Sequence, residues 1–462
     1  MVICAIITEY NPFHNGHKYQ IEMARKKTGA DIILCIMSGN FVQRGEAAIA
    51  NAHARAQMAI MGGAEQTTTN ERATKNLPCN LSGADVVIQL PTIFSCMSAQ
   101  LFAYGALKIL NAIPAVKYLC FGAEDDNLEH LQTIANILHT EPPQFKAHLQ
   151  KLLQQGHSYP SAMRESIAKH TADSGQQSEI NIQQSVSNGQ QANINHASIL
   201  EKPNNLLAVE YLKALKKLNS KIQPILIKRQ ANDKTKNNPN SPSATFIRDN
   251  IRASGLQNII SSLPPFAYKT LEQLISYGHY INLQTYNTLV MHKLLTLPTQ
   301  QLADIYDINE GLENLIKKHL PISPTLNCLF NNLKSKRYSK ARLNRILTQA
   351  LLNITKKDVK DALSAKPYIK ILAINKSKKQ QIIKALTNAH TKEHTKTHTK
   401  TLTKAHTKAN TASNKIYTIM QYSDYEKLPP KTKQLLTLDI LANNIYNILT
   451  NQTQNYFQIL EI

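Results

Sequence analysis

Near-continuous apolar runs alternate with amphipathic stretches through the first third of the chain. Val2–Ile7, Asp31–Met37, Ala84–Leu90 and Val116–Phe121 read as short buried strands. Asn15–Lys27, Ala52–Met61 and Ser98–Leu110 read as the helices between them. Strands apolar on both faces and separated by helices are the pattern of a parallel sheet covered on both sides, so a doubly wound α/β fold is predicted. Polar segments near 64–82 and 174–197 lack periodicity and read as inserts, the second following a helix near Ala162–His170. The sheet resumes at Pro224–Lys228, after an amphipathic helix over Asn205–Lys216. From about Ser254 the pattern is mainly helical, which divides the chain into an α/β domain over 1–253 and a helical region over 254–462.

One tract belongs to neither pattern. Between 390 and 408 the triplet His-Thr-Lys recurs, placing Lys392, Lys396, Lys400, Lys404 and Lys408 four residues apart. It can be read as an arm that contacts RNA or metal. The other reading is a solvated expansion, because β-branched threonines and repulsion among the lysines weaken a helix there.

The 462 residues carry 53 Lys and Arg against 31 Asp and Glu, a net charge of +22. That excess attracts a polyanion over long range but does not separate RNA, DNA and anionic membrane. With 42 % apolar residues, a mean hydropathy of −0.32 and no run of the ~18–20 apolar residues that a membrane span needs, a polytopic membrane protein is excluded. The six cysteines are scattered without a C-x-x-C pair, which argues for reduced buried thiols rather than zinc or disulfides. The start, MVICAIITEYNPFHNGH, lacks the basic segment of a signal peptide, so a cytoplasmic protein is expected.

The sharpest chemical signal is H-x-G-H at His14-Asn15-Gly16-His17, placed after the first strand where the first helix opens. A helix N-terminus offers unpaired N–H groups and partial positive charge to a phosphate. Gly16 lets a nucleotide lie against the backbone, and two imidazoles can donate to triphosphate oxygens as charge develops. No Walker lysine or G-x-G-x-x-G loop competes with this reading. A second signal is S-x-T-x-x-R at Ser243, Thr245 and Arg248, where Ser243 or Thr245 can cap a helix with Arg248 one turn inside. It reads either as a phosphate grip opposite the histidines or as an ordinary capped helix.

These motifs together resemble the bacterial tRNA(Met) cytidine acetate ligase family, whose fold is the H-x-G-H nucleotidyltransferase type of doubly wound sheet followed by a mainly helical C-terminal domain. The resemblance runs in order through EYNPFHNGH (Glu9–His17), MSGNFVQRGE (Met37–Glu46), FGAE (Phe121–Glu124), PNN (Pro203–Asn205) and SATFIR (Ser243–Arg248). It continues more weakly through Lys336–Lys357 and Pro367–Lys376. It implies an enzyme that activates acetate with ATP, with Mg²⁺, as acetyl-adenylate and acetylates N4 of the wobble cytidine (C34) of elongator tRNA(Met), without membrane or DNA as partner. It implies His14 and His17 as catalytic and no protein metal site. It also implies an ATP site over Ile7, Thr8, Glu9, Tyr10, Asn11, Pro12, Phe13, His14, Asn15, Gly16, His17, Lys18, Tyr19 and Gln20. Gly122, Asn204 and Arg229 complete that site by the resemblance, and the ends of parallel strands are where ligands sit, which suits Gly122 and Arg229. From the residues alone, Gly122 could as well end a strand and Asn204 could cap the helix after it.

The cations Lys336, Arg337, Arg342 and Arg345 around Tyr338 suit an RNA backbone, with Tyr338 available for stacking; the other reading is a solvated helix face. The inserts and the His-Thr-Lys tract depart from the family pattern. Two other functions fit parts of the sequence: a nucleotidyltransferase acting on a phosphorylated metabolite, and a non-catalytic RNA-binding protein.

Overall fold

A computed structural model describes residues 1–62, 82–173, 196–229, 243–335, 338–387 and 416–462. The His-Thr-Lys tract, most of both inserts, and Lys336 and Arg337 lie outside the described residues.

Strands β1 (Ile3–Thr8), β2 (Ile32–Ser38), β5 (Val86–Leu90), β6 (Val116–Ala123) and β7 (Gln223–Lys228) build a parallel sheet in the order β5-β2-β1-β6-β7. The short strands β3 (Phe41–Val42) and β4 (Glu46–Ala47) form a separate antiparallel ribbon after β2. Every residue of β1, β2 and β5 is buried, as their unbroken apolar runs predict for strands covered on both faces. The helices used below are α1 (Asn15–Thr28), α2 (Ala52–Met61), α3 (Ala99–Asn111), α4 (Pro203–Lys217), α5 (Ala244–Ser254), α6 (Lys340–Leu351) and α7 (Pro430–Thr450). The chain leaves β1 toward β2 on one side and later returns to β1 with β6 on the other. The strand order therefore reverses beside β1, and a crevice opens at the C-terminal ends of β1 and β6.

Beyond residue 254 the chain is mostly helical, as the pattern predicts, but it also rejoins the sheet. Strand β8 (Tyr368–Ile374) pairs antiparallel with β5, and β9 (Tyr417–Ile419) and β10 (Leu460–Glu461) pair parallel with β8. An open β5 would present a row of unpaired backbone groups, and β8 covers it. The run YIKILAI is short enough to read as a piece of buried helix, which is why periodicity alone did not disclose it. No helix among the described residues is long and apolar enough to cross a membrane.

A buried carboxylate fastens this junction. Asp85 accepts hydrogen bonds from the Ile33 amide at 2.8 Å, from Arg25 of α1 at 2.9 Å and from Lys378 at 2.8 Å. Its own backbone carbonyl accepts from the amide of Asn375 at 2.8 Å, just past β8. Asp85→Ala should strand the Ile33 amide and both cations. Because both cations are partly solvated, a loss of about 2–4 kcal/mol is expected, read as a lower urea midpoint; an unchanged midpoint would show that the carboxylate contributes nothing.

Candidate active site

The H-x-G-H loop leaves β1 and enters α1 at the crevice. Tyr10 and Phe13 are fully buried and pack against the His17 ring, with centroids 4.7 and 5.8 Å away. His14 is the N-cap of α1: its Nδ1 accepts from the Gly16 amide at 3.1 Å, and its own amide donates to His17 Nδ1 at 3.3 Å. The two rings stack with centroids 3.7 Å apart. A Cβ on Gly16 would come within 3.0 Å of His14 Cε1, so glycine is what lets the imidazole close this cap. With both Nδ1 atoms accepting, each neutral ring carries its proton on Nε2. Burial, then the charge of Arg229, pulls the His14 pKa down to about 3. Burial, then His14 and Arg229, holds His17 well below the ordinary histidine value. The pair is therefore neutral at physiological pH, and it presents donors.

The opposite wall is built on β6, β7 and α4. Glu124 accepts from the Asn205 amide at 3.1 Å and from Asn204 Nδ2 at 2.6 Å, while Asn205 Oδ1 accepts from the Glu124 and Asp125 amides at 2.8 and 3.0 Å. This reciprocal clamp fixes the first turn of α4 against the end of β6. Asn204 Oδ1 in turn accepts from Arg229 at 3.4 Å, and the Arg229 amide donates to the Ala123 carbonyl at 2.9 Å. A Cβ on Gly122 would stand 3.2 Å from Arg229 Cγ, so Gly122 makes room for the arginine stem. Gly122, Asn204 and Arg229 are thus one cluster. Asn204 lies inside α4, whose N-cap is Lys202, and does not cap it. Glu124 and Asn205, which hold the cluster together, are not among the sequence-derived site residues, although FGAE and PNN contain them.

The third wall joins the β3–β4 ribbon to α5. Ser243 caps α5 by accepting from the Phe246 amide at 3.1 Å, and Thr245 accepts from Arg44 at 3.2 Å. Arg248 is turned inward at 5 % exposure, donating to the Asn11 carbonyl and pairing with Glu46, both at 2.8 Å. Its Nε has no hydrogen-bond partner among the described residues. Glu9 accepts the Gln43 amide at 2.7 Å, and burial raises its pKa against the opposing pull of that bond and of Arg44. Beneath them the fully buried Arg55 donates to four backbone carbonyls, those of Glu9, Ser38, Gly39 and Ala50.

All three walls face one cleft of about 2830 Å³. Of the predicted ATP segment, Ile7, Thr8, Glu9, Tyr10, Asn11, His14, His17 and Gln20 line it. Pro12, Phe13, Asn15, Gly16, Lys18 and Tyr19 stand behind them; Asn15 donates to the Ser261 carbonyl at 2.8 Å and Lys18 pairs with Glu22 at 4.0 Å. Arg342 and Arg345 of α6 line the same cleft, so the cationic helix borders the three walls. Tyr338 is not free to stack on a base: it is 6 % exposed, its hydroxyl donates to the Asn309 carbonyl at 3.2 Å, and Arg342 covers its ring at 4.8 Å. Arg345 is mostly buried beside Asp307 at 3.6 Å. At Gly45 (φ +75°) a Cβ would fall 2.2 Å from the Arg345 amide nitrogen, so the β3–β4 turn rests directly on the α6 backbone.

The neutral histidines give a pH signature. Folded His14 titrates near 3 and His53, also depressed by burial, near 4, against about 6.5 in the unfolded chain. Above pH 6.5 both states are neutral and the full stability is present. As pH falls from 6.5 the unfolded chain binds protons that the folded one refuses, removing about 1.4 kcal/mol per pH unit per histidine. Urea midpoints measured from pH 7.5 to 5 should fall below 6.5, and His14→Asn should make that fall shallower by one proton. An unaltered slope in the variant would mean that His14 is not held neutral.

A model described as HIGH Nucleotidyl Transferase matches residues 1–66 and 71–458. The tRNA(Met) cytidine acetate ligase of Caldicellulosiruptor saccharolyticus is 33 % identical over 463 residues, covering 99 % of this chain and 97 % of the relative. The protein of the same name from Acetivibrio thermocellus is 34 % identical over 96 % of this chain and 94 % of its own. The crystal structure of Thermotoga maritima TmcAL bound with alpha-thio ATP covers all of both chains with a TM-score of 0.79 at 25 % identity. With its H-x-G-H loop at the parting of β1 and β6, and with relatives of this identity along nearly its whole length, the chain belongs to the HIGH nucleotidyl transferases, in the tRNA(Met) cytidine acetate ligase family.

Proposed function

We propose that the protein couples ATP cleavage to acetylation of elongator tRNA(Met), forming acetyl-adenylate from acetate and ATP and then N4-acetylcytidine at the wobble position, C34. The observation that carries this reading is the stacked pair of neutral imidazoles, each with a donor at Nε2, on the N-terminus of α1 and facing Arg229 across the crevice. The names of the relatives and the nucleotide in the Thermotoga maritima crystal support it.

In the first step an acetate oxygen attacks the α-phosphorus and pyrophosphate leaves. His14 and His17 Nε2–H groups, with the α1 amides behind them, donate to phosphate oxygens, and being neutral and fixed they need no rearrangement as charge develops. Asn204 aims Arg229, a second positive group for the nucleotide, and Gly122 keeps that wall low. Arg248 anchors the H-x-G-H loop through the Asn11 carbonyl, and the Ser243-capped end of α5, which lines the cleft, is what this side offers a phosphate. Among the described residues no group of three or more His, Cys, Asp or Glu side chains could hold a metal ion, and Glu46 and Glu124 are already engaged. Mg²⁺ would enter on the ATP phosphates, which is its usual mode of binding. No step here is assigned to it.

Two measurements test the proposal. ATP–pyrophosphate exchange should require acetate and fall at least 100-fold in His17→Ala, since a fixed donor to developing charge is worth about that factor; exchange that ignores acetate, or full activity in the variant, would remove the mechanism. Affinity for tRNA should drop steeply with added salt, and charge reversal at Arg337 and Arg342 should weaken binding and flatten the salt slope. Binding left intact by those reversals would place the RNA on another face.

A further inference from the structure

The second half-reaction needs a proton acceptor. The N4 amine of cytidine must shed a proton as it becomes an amide, and the two imidazoles are poorly arranged to take it. Each already uses Nδ1 as an acceptor and presents a protonated Nε2. Of the carboxylates on the cleft wall, Glu46 is paired with Arg248 at 2.8 Å, Glu124 is spent on the first turn of α4, Asp249 stands 3.8 Å from Arg252, and Glu141, Glu201 and Glu310 lie outside the elements that carry the three walls. Glu210 is bound to Lys213 at 3.0 Å.

Glu9 differs. It lines the cleft, and the one hydrogen bond of its carboxylate among the described residues is from the Gln43 amide to Oε1, which leaves Oε2 to a substrate. Its position is a seam. Glu9 stands at the end of β1, five residues before His14, so it shares the wall of the nucleotide site. Through Gln43 it is also tied to the turn whose Gly45 rests on the α6 backbone, beside Arg342 and Arg345. An activated acyl group held by the histidines and a nucleotide arriving along α6 would meet there. A carboxylate is also the group that accepts hydrogen bonds from the exocyclic amine of cytosine, which orients the nitrogen for attack.

We infer that Glu9 receives the N4 amine of the target cytidine and takes its proton during acyl transfer, an assignment that rests on the acetate-ligase reading above. The N4 lone pair bonds to the acetyl carbon, the bond from that carbon to the phosphate oxygen breaks, and AMP leaves with the electron pair. One N4 proton passes to Glu9 Oε2, and the other stays on the amide nitrogen. Burial makes Glu9 a better base than an exposed carboxylate, and Arg44 and Arg248 nearby oppose this, as Glu46 reinforces it.

The test supplies acetyl-adenylate and tRNA(Met) directly and follows N4-acetylcytidine in a single turnover. Glu9→Gln keeps the shape and the acceptor oxygen but removes the base. At saturating acetyl-adenylate its transfer rate should fall about 100-fold or more, with a much smaller change in the adenylate concentration that half-saturates. Glu9→Asp should recover at least tenfold over Glu9→Gln. Transfer by Glu9→Gln within threefold of wild type would overturn the assignment. So would a loss that higher adenylate restores, which would make Glu9 a nucleotide ligand, or an aspartate variant as slow as the glutamine one. A wild-type protein that transfers nothing from acetyl-adenylate would instead refute the acetate-ligase reading itself.

Discussion

A guanidinium without a carboxylate sits under the active site, and the geometry above depends on it. Arg55 is fully buried, and a buried cation is costly unless its donors are met. They are met by main-chain carbonyls alone, from Glu9 after β1, Ser38 and Gly39 at the end of β2, and Ala50 before α2. These segments must therefore converge on one point, which fixes where the H-x-G-H loop starts. Burial draws the Arg55 pKa down to about 10, still far above physiological pH, so the charge persists beneath the loop.

Above that point the crevice is lined by groups whose orientation is settled before any ligand arrives. Glu124 and Asn205 hold the turn that carries Asn204, Asn204 holds Arg229, and the two histidines hold each other through the α1 cap. Preorganised donors cost nothing to reorient during reaction, which is why such a site stabilises developing phosphate charge better than water does. The two histidines are positioned through main-chain amides and Arg229 through the Asn204 and Glu124 side chains at the end of β6, so the accuracy of the site follows from that of the sheet.

Much of this was legible in the chain. Helix α2 begins and ends at the predicted residues, and β1, β2, β6 and α1 differ by a residue or two, because strands buried on both faces leave unbroken apolar runs. The histidine pair was legible because its spacing coincides with a strand-to-helix turn. What stayed hidden are relations between distant segments. Nothing local marks Arg55 as buried, or Glu124 as the partner of Asn205 across 81 residues. Tyr338 within a cluster of cations reads as an exposed stacking platform, yet the packing of Arg342 and the Asn309 carbonyl buries it. Strand β8 was missed because seven apolar-rich residues do not distinguish strand from helix without the edge they cover.

The pairing of β5 with β8 has a consequence in time. Val86 meets Ile374 across about 290 residues of chain, which a ribosome adding ~5–20 residues per second needs about 15–60 s to make. During that interval the parallel sheet can assemble, but β5 stays an open edge of five apolar-rich residues, the kind of surface that recruits other strands. A nascent chain of this protein is thus exposed to mispairing at one defined place, and its protection rests on whatever shields that edge until Tyr368–Ile374 leaves the ribosome.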